Sequence, residues 1–303
     1  MAFKRQLVVV AVACVAGWLA HGVAAAAANA PPPQAWVPLR ATGAGAFESD
    51  GYMNRDLING KPVKCPPFVI LPGFSNADMD YFNPFNQGYE TSLVAGLARR
   101  GVTSYVLPLE RKEWFNVVRG FREAAFWRGA APPECAYGWY LEKVRATVAL
   151  AREETGAPKV ALCGHSAGGW LARAALGDGT WSTERDASGQ AAAIVRSEDV
   201  VCGVVTLGAP HFPGAFLKDR GVQYVTVAGA AIRGAKDAPR ADPARRAYNS
   251  YQLVCGEGET DGDGCVPVVS AHLEGALQIT LDGVKHTVDT PNTWYGTDEN
   301  IGR

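Results

Sequence analysis

Net charge is what this sequence most conspicuously lacks. Its 303 residues carry 29 Lys and Arg against 30 Asp and Glu, a formal charge of −1. There is no basic footprint of the kind a nucleic-acid partner requires. None of the seven Cys forms a C-x-x-C pair, so a zinc knuckle and a thioredoxin-type site both lack their ligands. A P-loop and an H-E-x-x-H helix are absent as well, which removes the motif support for phosphatase, kinase or metalloenzyme chemistry. Asp261-Gly262-Asp263-Gly264 lacks the flanking ligands and terminal Glu of a calcium loop. No metal or cofactor is expected, and no internal repeat is visible.

What is present is ordinary for a folded chain. Hydrophobic residues make up 48% and charged residues 19%, which excludes wholesale disorder and collagen-like or coiled-coil architecture. The length suits one large α/β domain or two small ones.

The N-terminus has the layout of a secretory leader. Lys4 and Arg5 precede an apolar run from Leu7 to Ala20, Ala24 to Ala28 supply small residues, and the first thirty positions hold no acid and no Ser. The fourteen-residue run is short against the ~20 that span a bilayer. Residues 1–28 are therefore read as a signal or targeting segment, directing export or entry into an organelle lumen. A plastid transit peptide and an uncleaved membrane anchor are the alternatives. Without the leader the chain keeps 27 basic against 30 acidic residues.

Cys14 leaves with the leader. Cys65, Cys135, Cys163, Cys202, Cys255 and Cys265 remain, an even six, which in an exported chain permits disulfides. Cys255 and Cys265 flank a Gly- and acid-rich loop and form the candidate pair. Cys163 and Cys202 sit in apolar runs and read as buried thiols.

Residues 29–64, Pro-, Gly- and Ala-rich, read as a poorly structured arm. Beyond them strands and helices alternate. Strands are expected over Phe68–Leu71, Val102–Leu107, Val160–Cys163, Val200–Leu207, Val222–Val227 and Leu277–Leu281, with helices over Thr91–Arg100, Glu142–Glu154 and Ala167–Leu176. Such alternation implies a mainly parallel sheet covered on both faces. Residues 111–140 stand apart: Trp114, Phe115, Phe121, Phe126, Trp127, Trp139 and Tyr140 lie among Arg111, Lys112, Arg119, Arg122 and Arg128. They read as an aromatic-rich cap or lid insertion in a domain covering 65–303.

Gly164-His165-Ser166-Ala167-Gly168 follows one expected strand and opens a helix. This is a G-x-S-x-G nucleophile elbow in its required strand–turn–helix setting. The turn is so sharp that side chains two residues before and after the Ser would collide, hence Gly164 and Gly168. The Ser166 hydroxyl then stands clear of the sheet at a helix N-terminus, where dipole and free N–H groups favour negative charge.

Four segments in order, Leu71-Pro72-Gly73-Phe74-Ser75, Gly164–Trp170, Thr206-Leu207-Gly208-Ala209-Pro210-His211 and Asp263-Gly264-Cys265-Val266-Pro267, resemble the lipase-like α/β-hydrolases. The likeness spans about residues 66–296 and is nearest a plant, algal and cyanobacterial branch, with a further likeness to inositol-acyl deacylases. It implies an α/β-hydrolase fold and the chain order Ser, acid, His. Of five His, His21 lies in the leader, His165 cannot fold back on its neighbour, and His211 precedes every acid candidate. His286, just after the last strand, is the expected base, with His272 the alternative. The resemblance places the acid at Asp263, with Asp261 and Asp282 as competitors. It also implies oxyanion donors from the backbone of Ala167 and of Phe74, although many lipases carry His where this chain has Pro72. A helix normally follows the base in this fold, and none is legible in the seventeen residues after His286.

These residues support a serine ester hydrolase acting on carboxylic esters, with lipid-like esters favoured by the aromatics of 111–140. An acyltransferase using the same triad and a non-catalytic α/β-hydrolase-fold binding protein are the alternatives. The expected chain is a monomer whose partners are a small-molecule or lipid ester and, through the cations of 111–140, a peripheral membrane surface.

Overall fold

A computed structural model describes residues 39–41, 57–58, 61–62, 65–122, 132–185, 191–211, 217–288 and 292–303. The leader expected at 1–28 and residues 123–131 of the expected cap lie outside them.

Seven strands form one sheet: β1 (Leu39–Ala41), β2 (Phe68–Leu71), β3 (Ser104–Val106), β4 (Val160–His165), β5 (Val201–Leu207), β6 (Gln223–Ala230) and β7 (Leu277–Asp282). Their spatial order is β1-β3-β2-β4-β5-β6-β7. β1 runs antiparallel to β3, and the other six are parallel. Three residues of the expected arm thus complete the sheet edge, with Leu39 opposite Val106.

The strands are apolar on both faces because both are covered. Along β2 the alternation is explicit: Val69 and Leu71 join one core cluster, Ile70 the other. The first core takes helix α2 (Glu134–Thr155) and helix α3 (Ala167–Leu176); the second takes helix α1 (Leu93–Arg99) and Trp294. Each fully buried Val, Leu or Ile in these layers contributes about 1.5–3 kcal/mol. A six-stranded parallel sheet flanked by helices, with the Ser-bearing turn at the end of its central strand, is the α/β-hydrolase fold.

Several elements differ from the sequence reading. Helix α2 begins at Glu134, eight residues before the expected Glu142, with Pro132 and Pro133 at its entry where a missing N–H costs nothing. It carries Tyr137 and Tyr140 into the first core, and Trp114 and Val117 of the 3-10 segment Arg111–Arg122 pack there too. The described aromatics of 111–140 are therefore core residues in large part, not a detached insertion. Arg111 is committed to buried Asp80, and Lys112 pairs with Glu110 at 2.7 Å. Helix α4 (Pro243–Cys255) was not expected, nor was the hairpin Thr180–Arg185/Ala191–Arg196.

No disulfide joins Cys255 to Cys265. Cys255 ends α4 with its Sγ turned to the Glu257 carbonyl at 3.3 Å, so nearness in sequence does not bring the two sulfurs together. Finally, a helical turn does follow the base. Asp298–Ile301 is capped by the Thr297 side chain and tied to α1 by Arg99 and Arg100, which reach Asp298 at 3.0 and 2.6 Å. Among the described residues no helix is long and apolar enough to cross a membrane.

Candidate active site

Strand β4 ends in the elbow. Ser166 has φ 53° and ψ −125°, a conformation that costs an L-residue about 1–3 kcal/mol. Backbone bonds hold it there: Ser166 N–H donates to Leu207 at 2.9 Å, and Gly169 N–H donates to Ser166 at 3.0 Å. The flanking glycines are required sterically. A Cβ at Gly164 would overlap the backbone of Gly168 and Gly169, and one at Gly168 would strike the Leu71 carbonyl. The elbow is therefore locked between β2 and α3.

The structure brings three distant side chains into one line. His286 Nε2 lies 2.9 Å from Ser166 Oγ, and His286 Nδ1 lies 2.7 Å from Asp263 Oδ2. Asp263 is 2% exposed. Its Oδ1 accepts from the N–H groups of Cys265 (2.9 Å) and Val266 (2.7 Å). Its Oδ2 accepts from the Tyr295 hydroxyl at 2.8 Å as well as facing the imidazole. Burial on its own would raise the Asp263 pKa. The charge and hydrogen bond of His286 and the two backbone donors outweigh it and hold the carboxyl below its ordinary value. A buried carboxylate of this kind fixes the imidazole tautomer and leaves Nε2 free to take a proton from the hydroxyl.

The competing residues are placed elsewhere. Asp261 is exposed and paired across strands with Arg233 at 3.0 Å. Asp282 ends β7, and its carbonyl accepts from Arg303 at 3.4 Å. His272 is held between β6 and β7 by Thr226 (3.2 Å) and Thr280 (2.8 Å). His211 lies against Arg173 and Thr206 at 3.4 and 3.1 Å.

The two expected oxyanion donors, Ala167 and Phe74, lie on the elements next to Ser166, and a Cβ at Gly73 would come within 2.8 Å of the Ser166 Cβ. Ala167 is the first residue of α3, and Phe74 follows β2 on the loop facing the elbow. That loop is pinned: Trp114 Nε1 donates to the Asn76 carbonyl at 2.9 Å, and the Phe74 ring leans on Trp114 with centroids 5.1 Å apart.

Two supporting residues escape a reading of the sequence. Tyr295 orients the acid while accepting the Gly229 N–H at 2.7 Å. Burial first, then the neighbouring Asp263, raises its pKa and keeps it a donor. Gly208, at φ 54°, leaves room for both: a Cβ there would lie 2.5 Å from Asp263 Oδ2 and 2.6 Å from the Tyr295 hydroxyl. The Gly of L-G-A-P-H was a usable signal for a close approach; an isolated Tyr near the C-terminus was not.

Two buried His make stability pH-dependent. Burial first, with neighbouring positive charge or imidazole second, depresses His165 and His211 to about 3. Both are neutral in the fold, whereas the unfolded chain binds protons below about 6.5. Their contribution is complete above pH 6.5 and is lost as pH falls toward 3. Each should withdraw up to about 2 kcal/mol at pH 5. Urea unfolding at pH 7 and pH 5 measures this, and equal midpoints would contradict it.

No protein-family model and no curated protein matches the sequence. Similar solved structures include a CIB-like hydrolase from Thermoplasma acidophilum, 13% identical over 75% of this chain and 81% of that one, TM-score 0.35. An acetylxylan esterase is 14% identical over 79% and 95%, TM-score 0.32. The lin2722 gene product of Listeria innocua is 12% identical over 76% and 91%, TM-score 0.35. At these values the likeness adds nothing to the topology and geometry above.

Proposed function

We propose that the protein is a serine hydrolase of carboxylic esters. The observation that carries this reading is the unbroken line Ser166–His286–Asp263, mounted on a strained elbow at a helix N-terminus. Ser166 Oγ attacks the ester carbonyl as its proton passes to His286 Nε2, and Asp263 stabilises the imidazolium. The N–H groups of Ala167 and Phe74 receive the negative charge that develops on the carbonyl oxygen. His286 returns the proton to the leaving alcohol, and water repeats the sequence on the acyl-enzyme. A binding protein has no need of this set, since the elbow alone costs stability that only the reacting hydroxyl repays.

Lipid-like esters are the substrates we favour. Phe74, beside the elbow, continues through Trp114 to Trp139 and Tyr140 as one aromatic cluster. Exposed Met79, Phe85, Phe115 and Val118 lie on helical turns in the connections that leave the carboxyl ends of β2 and β3, and exposed Val269 lies on the turn Val268–Ala271 that follows Asp263 in sequence. They offer an apolar rim for an acyl chain or a membrane surface. The motif likeness to the plant, algal and cyanobacterial branch and to inositol-acyl deacylases points the same way. Residues 1–28 are the proposed leader, taking the chain to an exported or lumenal site where such substrates occur.

The test is a nitrophenyl ester series from acetyl to octanoyl on the leaderless protein, with Ser166→Ala as background. Each buried methylene, at about 0.8 kcal/mol, should raise kcat/KM about fourfold until the wall is filled. A series that peaks at acetyl would replace the lipid reading with a small-ester one.

A further inference from the structure

Beneath the elbow lies a polar chain that the proposed mechanism leaves unused. His165 is 2% exposed and Tyr81 fully buried. His165 Nε2 lies 2.9 Å from the carbonyl oxygen of His286, and Nδ1 lies 2.9 Å from the Tyr81 hydroxyl. That hydroxyl accepts the Gly73 N–H at 3.0 Å. The direction of every bond follows. A carbonyl can only accept, so Nε2 carries the proton. Nδ1 then accepts from Tyr81, and the Tyr81 oxygen is left to accept from Gly73.

The two ends of this chain matter. Gly73 immediately precedes Phe74, the proposed second oxyanion donor. His286 carries the proposed base, and its own N–H donates to the Asp263 carbonyl at 3.0 Å. The backbone of His286 is thus gripped on both sides, by the acid residue and by His165. Trp294 closes the space, with ring centroids 6.1 Å from Tyr81 and 5.9 Å from His165. Burial keeps the imidazole of His165 neutral, so its donor and acceptor do not exchange roles near neutral pH.

We propose that Tyr81 and His165 are positioning residues, a hydrogen-bonded strut that sets the spacing between the Phe74 N–H and the His286 imidazole. The proposal rests on the ester-hydrolase reading for its kinetic consequence, but not for its geometric one. Neither side chain reaches a substrate. Each acts by holding backbone next to a group that does, the Phe74 N–H at one end and the His286 imidazole at the other, and errors of about 1 Å in such placement are costly in acyl transfer.

The decisive variant is Tyr81→Phe, which keeps the ring and removes one oxygen. It leaves the Gly73 N–H and His165 Nδ1 without partners. Turnover per active site, counted by fluorophosphonate titration, should fall about 10- to 100-fold with KM little changed. The low-field NMR resonance of the His286 Nδ1 proton should move, although residue 81 does not touch that ring. His165→Gln can still place a donor near the His286 carbonyl and should lose less turnover than His165→Leu. It also serves as the primary variant if Tyr81→Phe does not fold.

An unchanged turnover per titrated site, with only thermal stability reduced, would make the pair structural and overturn the proposal. So would an unmoved His286 resonance. If the unmodified protein neither labels nor hydrolyses esters, the hydrolase reading fails, and the resonance shift alone decides whether the strut couples the two loops.

Discussion

Ser166→Ala should abolish ester hydrolysis, with turnover falling about a millionfold, while the folded protein keeps its stability to within about 0.5 kcal/mol. The asymmetry follows from what the hydroxyl touches. Its hydrogen bond in the structure is to His286 Nε2 at 2.9 Å, and the residue is half-buried. The φ of 53° is imposed by Leu207, Gly169 and the two elbow glycines, none of which depends on the hydroxyl. Loss of the nucleophile therefore removes the chemistry and leaves the turn. Steady-state hydrolysis and urea unfolding of the same preparation measure both halves. Residual turnover within a hundredfold of the unmodified protein would mean that another group attacks the ester.

Asp263→Asn should lower turnover by about 10⁴, and Asp261→Asn, two residues away, should barely change it. The Oδ2 of Asp263 meets two donors, the His286 Nδ1–H and the Tyr295 hydroxyl, at 2.7 and 2.8 Å. The backbone N–H groups of Cys265 and Val266 meet Oδ1. An amide has only one acceptor oxygen for these four donors, and its NH₂ must face some of them. Turned toward Oδ1's partners the amide opposes two N–H groups; turned toward His286 it drives the proton to Nε2 and leaves Ser166 without a base. Asp261 by contrast forms an exposed pair with Arg233, a contact of at most about 1 kcal/mol. The reverse ranking of the two variants would move the acid to Asp261.

The contrast between those two aspartates shows what could be read from sequence. The elbow was legible because its chemistry is local: strand, sharp turn, helix and two glycines within five residues. The parallel strands were legible because burial on both faces makes them continuous apolar runs. Asp263 and Asp261 have nearly identical neighbours in sequence, so their difference comes from the motif likeness and, in the structure, from burial. Tyr295, Tyr81 and the second role of His165 depend on pairings 32, 84 and 121 residues apart, which no local pattern carries. The aromatics of 111–140 misled for a related reason. Tyr137 and Tyr140 lie on a helix whose first two turns include Gly138 and an aromatic cluster, and this blurs its period. Helix α4 is the opposite case: Asp242 caps it, Pro243 opens it, Gly256 ends it in the left-handed conformation, and Ala247, Tyr251 and Val254 recur on its buried face at helical spacing, all helix signals legible in the sequence.

Labelling of the unmodified protein with a fluorophosphonate, followed by peptide mapping, tests the central claim most directly. The reagent forms a stable bond only with a serine whose proton is taken by a neighbouring base and whose developing oxyanion is received by backbone donors. The geometry predicts one phosphonyl group per chain, carried on the peptide containing Ser166 and absent after denaturation before labelling. No adduct, or an adduct on any other residue, would contradict it.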